Sequence, residues 1–541
     1  MIYIEEFLER LNFKIEQVIP MYLQIYWNKV SNMDEVNIFN DFYNKQIRRV
    51  LYNQYIKNIN IDKKDISVIY NCIIKDLNLE IDKNLRGIDI NEYIAILYGI
   101  ACFQGEFHNR VFLSLNKGCN NFINIGITEE KILKFISQNR DKRFRIDSIN
   151  ATHKIAIQYL IEKSINFSSC SNNQKEINMD MIYYTYMLSL IITNLIEEKN
   201  MLLSGLYDDV RVWIEDYMLY NNIDNLHDSE SIYKEYIEDL ESNIEDYDPK
   251  IVSKLSSNFF KSYGFKIETI LKILEKINKT IQDKELVNIV EEEVLIEALS
   301  KDSGESKEEI KSLIEYLTIN KSTNYNKLMS MENYINRIFE KAFVHIEYGD
   351  RSIYMFSYMI LTCAYQVLRR KLIYNLLPDC EKANSRIIEK EIKNNLVNKC
   401  GDILKSYTDK IILNAEKIYI DNKRSIILSN EIDIIAIVGK ILFIIECKDI
   451  YYKFTPYGFK SDANKTYSFI NKMKKKYTSV VENKESFEEK FECEIEEIKS
   501  IIVFKTYNMT IKSKLNSENI EIINFNMFDN LIKKYIKINN E

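Results

Sequence analysis

NEIDIIAIVGKILFIIECKD, residues 430–449, holds two apolar runs on either side of Gly439-Lys440. A two-residue turn with glycine first suits a tight hairpin, and each run has the length of a β-strand. In that register Val438 pairs with Ile441. Stepping outward, Asp433 falls opposite Glu446 and Glu431 opposite Lys448. Side chains two apart share one face of a strand. Glu431, Asp433, Glu446 and Lys448 are therefore expected on one side of the hairpin, with Cys447 turned toward the core on the other.

The surrounding residues extend the pattern. A helix is expected over Asn384–Cys400, then strands at Lys417–Ile420, Ser425–Leu428, Glu431–Val438 and Ile441–Lys448. A basic helix, Ala463 to about Val481, and an acidic one, Glu485–Glu497, follow. Strands at Ser500–Phe504 and Ile520–Phe525 complete an α-β-β-β-α-β order. Upstream, residues 1–377 show apolar residues at three- and four-residue intervals, as in Ile4, Phe7, Leu8 and Leu11. They read as one large all-α region, a sensor, partner-binding or specificity module, with a subdivision near 164–177. Residues 384–541 read as a separate α/β domain, a mixed central sheet flanked by helices. With only 12 Gly and 4 Pro in 541 residues, an all-β sandwich or propeller is disfavoured.

Charge divides along the same line. From Glu381 onward there are 28 Lys+Arg and 24 Asp+Glu, a net of +4, whereas the residues before carry a net of −11. The C-terminal part is thus the expected nucleic-acid face. Lys472, Lys474, Lys475 and Lys476, interleaved with Tyr467, Phe469 and Tyr477, read either as a phosphate-contacting helix or as a solvated lysine face. A second basic cluster, Arg140–Arg145, reads as a solvated turn or a distal nucleic-acid contact.

Three carboxylates and a lysine on one side of an otherwise apolar hairpin demand partners, because desolvating unpaired charge is costly. Asp433 and Glu446 facing each other repel unless a cation lies between them. Two carboxylates with open water positions suit a hard ion such as Mg²⁺, with Mn²⁺ as the alternative. Lys448 beside that ion can orient an attacking water or bind a phosphate.

This constellation resembles the PD-(D/E)xK nuclease superfamily and its restriction-endonuclease-like fold. Asp433 matches the first acid, and Glu446-Cys447-Lys448 matches the E-x-K. The motif's proline is absent, since Asn430-Glu431-Ile432 precedes Asp433. The resemblance covers about the last 155 residues. It implies a Mg²⁺-dependent endonuclease in which Asp433 and Glu446 ligate the metal, Lys448 assists the water and Glu389 completes the site. Glu391 is the alternative for that last role. It also implies DNA rather than RNA as substrate and, by family analogy, a setting in bacterial defence. The rival from another class is a non-catalytic nuclease-like scaffold in a protein- or nucleic-acid-binding protein, its helical region serving a protein partner or oligomerisation.

Other chemistries find no support. No glycine pair has P-loop or dinucleotide-fold spacing, no C-x-x-C joins the 9 Cys, and none of the four histidines follows His345. His345-Ile346-Glu347 has the H-x-E of a zinc deaminase without its cysteine pair, so His345 is expected as an ordinary helix residue. Leu295–Leu317, with Ser303-Gly304 at its middle and an S-x-x-E box at Ser306 and Glu309, reads as two helices joined by a capped turn. A DNA-reading helix-turn-helix is the alternative there. Met181–Ile196 and Ser352–Leu368 are too short and too polar for membrane spans and are expected as buried helices. Scattered free thiols and the lack of a signal peptide point to a soluble, cytoplasmic protein with no membrane role.

Overall fold

The computed structural model describes residues 2–31, 38–117, 127–167, 175–204, 209–223, 249–280, 286–319, 338–348, 351–387, 394–420, 424–450, 456–506, 508–512 and 520–538. Contacts divide the chain into two compact units. One contains Met1–Lys199, Arg211–Asn222 and Ser256–Leu372; the other contains Asn200–Val210, Ile223–Leu255 and Ile373–Glu541.

The described part of the first 202 residues is almost all helix: α1 (Ile2–Ser31), α2 (Ile38–Asn53), α3 (Ile66–Leu85), α4 (Ile90–Lys117), α5 (Ile127–Gln138), α6 (Arg143–Asn166) and α7 (Met179–Leu202). Tyr93 to Tyr98 of α4 are buried without interruption, the mark of a helix enclosed on all sides. Gly99 permits a close approach by α1, since a Cβ there would stand 2.7 Å from Ile15 Cγ1. The enclosed polar groups bond to one another. Tyr22 Oη lies 2.8 Å from His108 Nε2, Tyr26 donates to Asn150 Oδ1 at 2.6 Å, and Tyr186 Oη meets both Gln104 Nε2 (2.9 Å) and His153 Nδ1 (2.7 Å). Burial, helped by Lys154, lowers His108 to about 3, so its imidazole is neutral. Helix α7 is long and apolar enough to cross a membrane by length and composition, but 67% of its most apolar window is buried inside the protein.

The region before residue 377 is mostly helical, yet not all-α as expected. Short strands β1 (Ile59–Ile61), β2 (Val212–Glu215) and β3 (Met218–Asn221) form one antiparallel sheet in that order. A second antiparallel sheet has the order β4-β6-β5, from β4 (Asn288–Glu291), β5 (Val344–Tyr348) and β6 (Arg351–Phe356). His345 therefore sits on a strand, not a helix, with Nε2 2.7 Å from Ser352 Oγ. Likewise Ser352–Leu368 is not one helix. It begins in β6 and continues in a helix, because Ile353 and Met355 alternate inward against Tyr354.

Helices α8 (Pro249–Tyr263), α9 (Ile267–Thr280), α10 (Glu292–Ser303), α11 (Lys307–Leu317) and α12 (Tyr358–Ile373) are the further helices among the described residues of this part. The capped turn between α10 and α11 is present. Gly304 takes φ +73°, and Ser306 Oγ accepts the Glu309 N–H at 3.2 Å. Glu309 does not reach back as in a full capping box. Its carboxylate instead accepts the Lys266 N–H (3.0 Å) and the Thr269 hydroxyl (2.7 Å) at the start of α9.

Downstream come α13 (Glu381–Ile387), α14 (Asn394–Lys405), β7 (Ile411–Tyr419), β8 (Ser425–Val438), β9 (Ile441–Lys448), α15 (Pro456–Glu482), α16 (Lys484–Phe491), β10 (Glu497–Phe504), β11 (Ile520–Asn524) and α17 (Phe525–Ile538). From α14 to β10 this is the expected α-β-β-β-α-β order, and the acidic helix expected at Glu485–Glu497 is α16, which ends at Phe491 before β10 opens at Glu497. The two short runs expected at 425–428 and 431–438 merge into one strand, β8. The five strands form a mixed sheet in the order β11-β10-β9-β8-β7. β7, β8 and β9 run antiparallel, while β10 lies parallel to β9 and to β11. Both faces are covered. Ile435, Ile437, Leu442, Ile444 and Ile502 pack with Ala463, Ile470 and Met473 of α15. Ile434, Ala436, Phe443, Ile445 and Val503 pack with Leu396, Val397 and Cys400 of α14 and with Phe528 and Ile532 of α17.

Candidate active site on the β8–β9 hairpin

The hairpin has the register expected from its turn, with pairs from Val438↔Ile441 to Ile434↔Ile445. Of the two turn residues only Gly439 has positive φ, +61°, as a type II′ turn requires. Beyond Ile434↔Ile445 the ladder stops, while β9 stays paired with β10 as far as Lys448↔Phe504. The strands fork there. Asp433 Oδ2 accepts the Cys447 N–H at 2.7 Å in place of a backbone carbonyl.

Alternation along β9 places Leu442 and Ile444 against α15, and Glu446 and Lys448 continue that row. Cys447 faces the opposite way, packed among residues of α14 and α17. Lys448 Nζ donates to Glu446 Oε2 at 2.9 Å and stands 3.9 Å from Asp433 Oδ2. It also lies 5.4 Å from the centre of the Phe469 ring. Asp433, Glu446 and Lys448 thus come together. Glu431 is exposed, and Lys448 pairs with Glu446 and Asp433 instead. Glu389 and Glu391 lie outside the described residues.

The lysine helix divides. Lys472, Lys474 and Lys475 are exposed, but Lys476 is buried and donates to Glu446 Oε1 at 2.5 Å. It therefore does not belong to a solvated lysine face. Its position is legible in the sequence, since it lies three residues after Met473 and four before Val480, both buried. Arg140–Arg145 occupies a 3-10 turn and the first residues of α6, where Arg143 Nε is 3.6 Å from Asp147.

The electrostatics separate the two carboxylates. Burial, then the Glu446 charge, pushes Asp433 up to about 6 against the pull of Lys448, the Cys447 N–H and Lys476. Burial alone would raise Glu446 too, but Lys448 and Lys476 outweigh it and hold that carboxyl below its usual range. Burial would lower Lys448, yet Glu446 and Asp433 outweigh it and keep the ammonium charged more firmly than usual. A carboxylate that resists ionisation beside another is a place where a further positive charge is favourable. The donor set, two carboxylates at a forked strand end, fits a hard divalent cation held largely by water. Among the described residues no group of three or more His, Cys, Asp or Glu could hold a metal ion.

Just beyond the fork a second buried pair, Asp449 with Lys505 Nζ at 2.8 Å, ties the ends of β9 and β10 together.

No protein-family model matches the chain, and no curated protein matches it.

Proposed function

We propose that the C-terminal domain has the restriction-endonuclease-like fold and acts as a Mg²⁺-dependent phosphodiesterase of the PD-(D/E)xK type, cleaving DNA. The supporting observation is the convergence of Asp433, Glu446 and Lys448 at the fork, with Lys448 Nζ 2.9 Å from one carboxylate and 3.9 Å from the other. Asp433 and Glu446 hold the ion, Mg²⁺ or Mn²⁺. When bound, the ion supplies a water of lowered pKa and neutralises charge on the phosphate. Lys448 keeps its proton and so acts as a donor, orienting the attacking water or gripping the scissile phosphate, not as a general base. Asp433 must lose its proton to bind a cation well, so with its pKa raised to about 6 cation binding weakens as pH falls. Lys472, Lys474 and Lys475 are exposed on α15 and can contact phosphate. The helical region then serves as sensor, partner platform or specificity module, and the setting remains bacterial defence by family analogy alone.

The test is one panel. Wild type and Lys448→Ala meet supercoiled plasmid, linear DNA, single-stranded DNA and RNA with Mg²⁺, Mn²⁺ or EDTA. Metal-dependent cleavage by wild type alone is expected. Equal cleavage by Lys448→Ala would overturn the site assignment, and cleavage of RNA alone would overturn the substrate.

One observation favours a second reading, a non-catalytic scaffold. Both oxygens of Glu446 are already ion-paired with lysines, so the cluster balances its own charge. A scaffold of this kind has no affinity for Mg²⁺, which calorimetric titration measures directly.

A further inference from the structure

Among the described side chains of α15 the buried ones are Asp462, Ala463, Thr466, Ile470, Met473, Lys476 and Val480. Five are apolar or carry a hydroxyl; Asp462 and Lys476 carry a charge. Lys476 and Glu446 each leave only 6% of the side chain exposed. A lysine in a buried helical row is costly unless a charge already waits for it, and removal of either partner leaves the other stranded. Glu446 is that charge. Its Oε1 receives Lys476 at 2.5 Å from the helix layer, and its Oε2 receives Lys448 at 2.9 Å from its own strand. The two ammonium groups differ in setting. Lys448 reaches both carboxylates and remains 21% exposed, whereas Lys476 is enclosed and bonds only the glutamate among the described contacts.

We propose that Lys476 is a built-in counter-ion that competes with the divalent cation for Glu446 and so sets the metal affinity of the site. Two carboxylates and two ammonium groups already sum to zero, and a divalent cation entering beside them meets the positive charge of Lys476 on one of its own ligand oxygens. Binding then requires the ammonium to leave Oε1 or to tolerate the repulsion. Either way the lysine weakens the metal and, in its absence, keeps Glu446 ionised in a buried position. The proposal rests on the reading of Asp433 and Glu446 as the metal-holding pair. Lys476 is on this account a positioning residue for Glu446, with no contact to the reacting atoms.

The experiment is calorimetric titration of Mg²⁺ into the full chain as wild type, Lys476→Met and Lys476→Arg. Methionine keeps most of the buried stem and removes the charge; arginine keeps the charge. Lys476→Met is expected to bind Mg²⁺ at least about tenfold more tightly, equivalent to about 1.4 kcal/mol, and Lys476→Arg to stay near wild type. Thermal melts give the second readout, since the Mg²⁺-induced rise in Tm should begin at lower Mg²⁺ in the methionine variant. Should Lys476→Met fail to fold, Lys476→Gln, neutral and able to donate to Glu446, replaces it. Unchanged or weaker binding in the neutral variant overturns the counter-ion role while leaving the metal pair intact. Absence of Mg²⁺ binding in every variant overturns the metal pair and this inference with it.

Discussion

Asp433 accepts the backbone N–H of Cys447 at 2.7 Å, joining β8 to β9 just past the last paired residues, Ile434 and Ile445. The bond holds one carboxylate close to Glu446, whose charge, after burial, raises it. The unfolded chain releases this proton near 3.8, the folded one near 6. The stabilisation that comes from holding the proton is full below pH 3.8 and is lost as pH rises through 6. Asp433→Asn, which keeps an oxygen for the Cys447 N–H, should therefore raise stability in EDTA at pH 8 by about 1–3 kcal/mol and change little at pH 4. Thermal melts across pH check this; parallel profiles for the two proteins would refute it.

Glu446 is the shared partner of two lysines. Glu446→Ala should cost about 3–5 kcal/mol, because Lys476 is left buried without its carboxylate. Adding Lys476→Met should recover a large part of that loss. Urea denaturation of both single variants and the double variant gives the coupling directly, and additive losses would contradict the ion pair.

Gly439 has open space where a Cβ would go, yet its φ is +61°. Gly439→Ala should cost about 1 kcal/mol through backbone strain alone, and Gly439→Asn less. Equal stability of all three would mean the turn does not need glycine's freedom.

The turn and register were readable because Gly439-Lys440 interrupts two continuous apolar runs, and a two-residue turn at that point fixes which residues pair. Strand β9 begins and ends where its residues predict. Lys476 was hidden by company: three exposed lysines beside it suggest one surface, and only the spacing from Met473 to Val480 marks it as inward. The six strands described before residue 377 were hidden by their shortness, and β1 also by its distance from its partner. Ile59 pairs with Ile214, and a three-residue strand carries too little periodicity to be seen without its partner.

Cys447 should resist modification. Its hydrogen bond with the free thiol of Cys400, then burial, raises its thiol well above the usual range, so little thiolate forms at pH 8. Iodoacetamide labelling followed by peptide mapping should find Cys447 modified more slowly than Cys493. Rapid labelling of Cys447 in the folded protein would show that the sheet face against α14 opens readily.

The five strands lie side by side in the same order in which the chain is synthesised. Strands β7, β8 and β9 form a meander joined by short links, so their contacts are local and close early, at small entropic cost. Asp433, Glu446 and Lys448 all belong to that meander, whereas Lys476 is on the helix that follows and β10 is later still. The acidic pair is thus expected to assemble on a partly formed protein, before its helical lysine is in place. Pulse-labelled hydrogen exchange during refolding should protect the β8–β9 amides ahead of those joining β10 to β11, and simultaneous protection would rule this order out.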